Sequence, residues 1–190
     1  MNRGQQINGS LTKSAYPAVL PVWGVYPVLS QIGLVLLTVL LPAIAHLSGA
    51  PVRWLVPMHW AVILAGLVFG WRGGLIVGMS APLVNYLITG FPLPLVLPAM
   101  SVELTVYGGL TGLLREKFEF PPFLAVVLGL IAGRIVFLLV VFAGGAQKGV
   151  FLAYAYAAML PGLLAAVVQI ATLPVIAQRW IQRSQNSVDR

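Results

Sequence analysis

Charge is what this sequence has least of: only 8% of its 190 residues are Asp, Glu, Lys or Arg, against roughly a quarter in soluble globular domains. With 59% of residues hydrophobic, water cannot be the main solvent, and a soluble domain large enough to fold alone is excluded. Cysteine is absent, which removes disulfides, thiolate nucleophiles and Cys-based metal sites. Catalytic signatures are missing too: there is no His-Glu-x-x-His, no Gly-x-Ser-x-Gly and no Walker lysine loop. One intramembrane carboxylate cannot make a carboxylate pair, and the two histidines, His46 and His59, lack metal-ligand spacing. No catalytic residue, metal site or cofactor is therefore assigned. Active transport by such a chain would draw its energy from another subunit or an ion gradient.

What is present is a series of apolar runs. At ~20 residues per crossing, the chain holds about six spans with short connections and small tails. Expected spans are 26–47, 54–70, 74–90, 99–114, 122–142 and 150–178, making one all-α membrane domain over 26–178. Residues 1–25 read as a polar tail and proline-rich lead-in, with Pro17, Pro21 and Pro27 denying a regular helix its donors. The stretch up to Ser14 has no compact cleavable signal pattern, so the first span is expected to be retained. Residues 179–190 read as a basic tail. Trp71-Arg72-Gly73-Gly74 is expected to be a tight polar connection, Phe91 to Pro98 a rigid proline-rich link, and Gly144 to Gly149 a flexible loop. The last run is ~42 Å long as a helix and exceeds the ~30 Å core, so a break at Pro161 is expected.

The formal net charge of +7 reports topology, since the basic residues are scattered between spans and form no nucleic-acid patch. Arg3, Lys13, Arg72, Arg115, Lys117, Arg179, Arg183 and Arg190 fall on one side, and Arg53 and Lys148 on the other. The basic side faces the cytoplasm. Both termini are therefore expected there, with the proline-rich and glycine-rich loops outside.

Two ionisable residues lie within spans, Glu103 and Arg134, and such residues are functional by default because burying them in lipid is costly. Tyr107 is one turn after Glu103 on the same face. Glu103 and Arg134 either neutralise each other as a structural pair or line a cavity that binds a polar ligand. An unpaired arginine suits a carboxylate through its two-pronged donors; a paired one leaves a neutral ligand equally admissible. His59, Asn85 and Gln169 are further polar residues of the spans, explained by interhelical hydrogen bonding or by ligand contact. Trp54, Trp60, Trp71 and Trp180 near span ends fit an aromatic belt. Gly66, Gly70, Gly74 and Gly78 recur every four residues, as do Gly108 and Gly112, and read as helix faces for close packing.

Several of these segments, taken in order, resemble the substrate-binding S components of energy-coupling-factor (ECF) vitamin transporters. The resemblance rests on Leu55-Val56-Pro57-Met58-His59-Trp60 running to Gly66, with Gly70, Gly74 and Gly78 continuing it; on Ser80-Ala81-Pro82-Leu83 with Thr89-Gly90-Phe91-Pro92; on Glu103 to Tyr107-Gly108; on Gly133-Arg134; and on Leu160-Pro161-Gly162 with Gln169 and Pro174. It implies a non-catalytic six-helix subunit of the bacterial cell membrane that binds a water-soluble vitamin or precursor in an outward-facing pocket. It further implies a membrane coupling subunit and two cytoplasmic ATPases as partners. Glu103, Tyr107, Arg134, Gln169, His59 and Asn85 become the candidate substrate-binding residues. The first span lacks the Ala-x-x-x-Ala type motif with which many members dock their coupling subunit, which leaves the docking face open, the Gly66 to Gly78 ridge being one surface that could serve. A stand-alone secondary transporter and a non-catalytic structural subunit of a membrane complex are the competing readings.

Overall fold

The computed structural model describes residues 19–49, 56–144 and 148–186, the last of these as backbone only up to residue 161. Arg3, Lys13, Arg53, Trp54, Arg190 and the centre of the glycine-rich loop lie outside the described residues, as does the side chain of His46. All regular structure among the described residues is helical: α1 Val25–Leu47, α2 Pro57–Thr89, α3 Leu97–Glu116, α4 Pro122–Ala143 and α5 Lys148–Asn186. Helices α2, α3 and α4 each open on a proline in the first turn, where the missing N–H costs nothing and the fixed φ favours helix. Helix α2 stops at Gly90 in the left-handed region, whose N–H donates to the Tyr86 carbonyl at 2.8 Å.

Helix α2 is not straight. Gly70 has φ 70° and ψ −167°, a conformation open only to glycine at no steric cost, and the chain doubles back there. A Cβ placed on either Gly66 or Gly74 would strike the same atom, the carbonyl oxygen of Gly108, and one on Gly78 would strike Leu104. Both legs of α2 therefore run along α3, with Gly70 at the tip beside Gly112 and Glu116. Two groups freed by the reversal are satisfied from outside: the Val68 carbonyl accepts from Leu20 N–H at 2.6 Å, and Trp71 N–H donates to Glu116 Oε2 at 3.3 Å.

This geometry changes three expectations. The chain turns at Gly70 alone, and residues 71–74 continue as helix in place of a polar connection. The four glycines from Gly66 to Gly78 do not share one helix face; they lie on two legs that converge on α3, and all are buried. A buried ridge cannot dock a coupling subunit. A further difference concerns α5, which is one helix through Pro161 and continues over residues 179–186 where a tail was expected. Leu173, Ala177 and Ile181 extend one buried stripe along it, Trp180 packs edge-on against Phe69 at 5.8 Å, and Trp180 Nε1 donates to the Tyr26 hydroxyl at 3.1 Å. Residues 19–24 of the lead-in are irregular, with Leu20 and Val22 buried.

Four of the described helical stretches are long and apolar enough to cross a membrane: Val25–Ala45, Pro57–Thr89, Pro122–Ala143 and Gly162–Asn186. Their outer faces stay apolar, as Ile32, Leu36 and Leu40 of α1 and Leu124, Leu139 and Phe142 of α4 are exposed, which is the surface lipid requires. Helix α3 does not belong to that set. It is the central helix, burying Glu103, Leu104, Tyr107, Gly108, Thr111 and Gly112 against its neighbours, and a helix enclosed by protein has no need of lipid-facing side chains.

Candidate ligand-binding site

The polar residues of the interior gather on one face of α3. Glu103 and Tyr107 are one helical turn apart, and the Tyr107 hydroxyl donates to Glu103 Oε1 at 2.7 Å. From α4, Arg134 Nη1 approaches the same oxygen at 3.1 Å. Glu103 is 2% exposed, so its charge depends on these donors; without them its burial would cost several kcal/mol. Two glycines make room for the cluster. A Cβ at Gly133 would enter the Tyr107 ring, and one at Gly162 would press on the Arg134 guanidinium.

His59, from the first leg of α2, lies over Tyr107 with ring centroids 5.1 Å apart. Its Nε2 is 4.0 Å from Glu103 Oε1, too far for a hydrogen bond, and both ring nitrogens are buried without a partner. The Nε2 of Gln169, in α5, is likewise buried and unpartnered. Native interiors rarely leave such atoms unsatisfied.

Both residues face a cavity of ≈ 390 Å³ between α3, α4 and α5, whose polar lining is His59, Tyr107, Arg134 and Gln169. The rest is aliphatic, with Leu130, Ile131, Ala166 and Ile170 among it. Four of the six residues singled out from sequence thus share one cavity. Glu103 lies behind its wall, holding Arg134 and Tyr107, and is not itself part of the lining. Asn85 lines a different cavity of ≈ 380 Å³ between α1, α2 and the 91–92 link, on the other side of His59. There its Oδ1 is unpartnered. Both cavities reach Val56, next to the start of α2, and so lie at the end of the bundle opposite the Gly70 tip. The aliphatic walls escaped sequence reasoning, because in a chain apolar throughout nothing separates a ligand-facing leucine from a lipid-facing one.

Fold and surface together define a multi-pass, all-helical membrane protein. A family model, ECF transporter, substrate-specific component, matches residues 26–182, and the chain belongs to that family. Its members are transport subunits and not enzymes, and membership implies a small-molecule substrate and association with an ECF coupling subunit and ATPases. Comparison with curated proteins and with solved structures gives no match.

Proposed function

We propose that the chain binds a water-soluble vitamin or vitamin precursor in the cavity between α3, α4 and α5, for uptake driven by two cytoplasmic ATPases through a coupling subunit. On this reading the two legs of α2 each cross the bilayer, making six crossings within a domain spanning about 26–178. Both termini lie in the cytoplasm of a bacterial cell, with the cavity facing outward. The count of basic residues supports that orientation: Arg72, Arg115 and Lys117 are at the Gly70 end, away from the cavity. The observation that carries the proposal is the pair of buried, unpartnered groups on His59 and Gln169 facing one cavity, since a bound ligand supplies what the fold leaves unmet. A purely structural role for the Glu103–Arg134 pair would need no cavity beside it.

The test is a thermal-shift screen of the purified chain in nanodiscs against water-soluble vitamins and their precursors, with hits measured by calorimetry. A sub-micromolar ligand, bound more weakly by Arg134→Ala, is expected. A folded protein that binds none of the panel would refute the proposal. An exchanged pair, Glu103→Arg with Arg134→Glu, that binds as wild type does would instead make the pair structural and remove it from the site.

A further inference from the structure

The charges and unpartnered atoms around this cavity restrict its ligand further. Building on the proposed binding role, we infer that the group recognised is uncharged: a head carrying one carbonyl-type acceptor and one N–H or O–H donor, such as an amide, lactam or ureide, on a compact apolar body.

The first argument is charge balance. Glu103 and Arg134 are the charged residues at the cavity among those described, and they are joined at 3.1 Å. Their sum is zero. One nitrogen of the guanidinium is committed to Glu103, and the group is held between Glu103 and Gly162. A carboxylate entering here would be an additional buried anion with no cation of its own, which is costly in a low-dielectric site. His59 does not change the sum. The closest carboxylate oxygen is 4.0 Å away and already receives Tyr107 and Arg134, and the ring enters the balance as a neutral donor and acceptor.

The second argument is hydrogen-bond chemistry. Gln169 Nε2 offers N–H groups and needs an acceptor. A neutral imidazole presents one N–H and one acceptor nitrogen, and His59 has neither satisfied. Together they require at least one acceptor and one donor from the ligand. A carboxylate has acceptors alone and would leave the second His59 nitrogen orphaned, whereas an amide-like head carries both. The body faces Leu130, Ile135, Leu138 and Ile170 and is best matched by carbon. The ≈ 390 Å³ volume is in the usual range for small-molecule pockets.

Matched pairs whose heads differ as amide against carboxylate provide the test: nicotinamide with nicotinate and lipoamide with lipoate. Calorimetry on the purified chain in nanodiscs is expected to show, within any pair that binds, the neutral member tighter by about tenfold or more, as the cost of an unbalanced buried charge demands. Glu103→Gln keeps an acceptor for Tyr107 while removing the negative charge, and should move that ratio toward the anion by about tenfold. If Glu103→Gln fails to fold, Arg134→Gln reads the same balance from the other side and should raise the neutral preference. Tighter binding of the anionic member by wild type, or a ratio unmoved by either substitution, overturns the inference and leaves the binding role standing. No binding by folded protein of any compound in the wider vitamin and precursor panel overturns both.

Discussion

Helix α3 has two neighbouring faces that do opposite things. Leu104, Gly108 and Gly112 form one, and there the two legs of α2 come so close that no Cβ would fit between the backbones. Glu103, Tyr107 and Thr111 form the other, one residue earlier at each turn. At Thr111 that face packs closely on α4 through Gly129, and beside Tyr107, between α4 and α5, a cavity remains. The difference is what each side can admit. Backbone against backbone excludes ligand and solvent alike and has no rotamers to adjust. Polar side chains spaced by glycines at Gly133 and Gly162 leave volume that packing does not fill. A rigid seam thus backs a site that stays open, and the seam keeps Glu103 and Tyr107 fixed relative to His59.

The comparison breaks most readily at the seam. In Gly108→Val the new side chain meets the carbonyl group of Gly74, which is backbone and cannot swing away. The loss should exceed the ~1–3 kcal/mol typical of overpacking a core. The expected outcome is no monodisperse peak on size exclusion after detergent extraction, and a folded Gly108→Val protein would show that the two helices are farther apart than described.

Next in size is the cluster on the open face. Glu103→Ala strands the Arg134 guanidinium and the Tyr107 hydroxyl, at a cost of about 3–5 kcal/mol for breaking a buried pair. The double change Glu103→Leu with Arg134→Met removes both charges and should be less destabilising than Glu103→Ala alone. Denaturation midpoints of the single and double variants measure this. Equal losses in the two would mean that the ion pair contributes no specific coupling.

Much of this contrast is legible in the sequence, and the unread part has a common cause. The bond between Glu103 and Tyr107 follows from their spacing on one helix, and the pairing of Glu103 with Arg134 from the cost of leaving either charge alone in a membrane. The glycines every four residues announced close packing. The tight connection expected at residues 71–74 anticipates the two legs, whereas the four-residue spacing gathers Gly66 to Gly78 on one ridge across a turn that Gly70 makes alone. The same reversal places Asn85 and His59 around one cavity although 26 positions separate them in the chain. Periodicity is a local quantity, whereas the reversal depends on what Leu20 and Glu116 supply to the broken helix. Residues 179–186 were legible in principle. Leu173, Ala177 and Ile181 keep a four-residue apolar stripe past Arg179, but the basic residues there suggested a tail.

The smallest expected effect on stability sharpens the contrast between the faces, because it uses the same kind of change as at Gly108. Gly162 lies against the Arg134 guanidinium as Gly108 lies against Gly74, yet the group it meets is the far end of a flexible side chain. In Gly162→Ala the guanidinium can rotate aside, and the exchange of glycine for alanine within a helix offsets part of any strain by about 0.5–1 kcal/mol. Stability should therefore change by less than about 1 kcal/mol. Binding should not be spared, since a guanidinium shifted at Nη2 while Nη1 stays on Glu103 still reshapes the wall of the cavity, and a disturbed polar contact there is worth about tenfold in affinity. A near-wild-type melting curve with weakened ligand binding is the expected pair of results. A large drop in melting temperature would mean that the α4–α5 side is as tightly closed as the seam, and that the cavity between them is not open to a ligand.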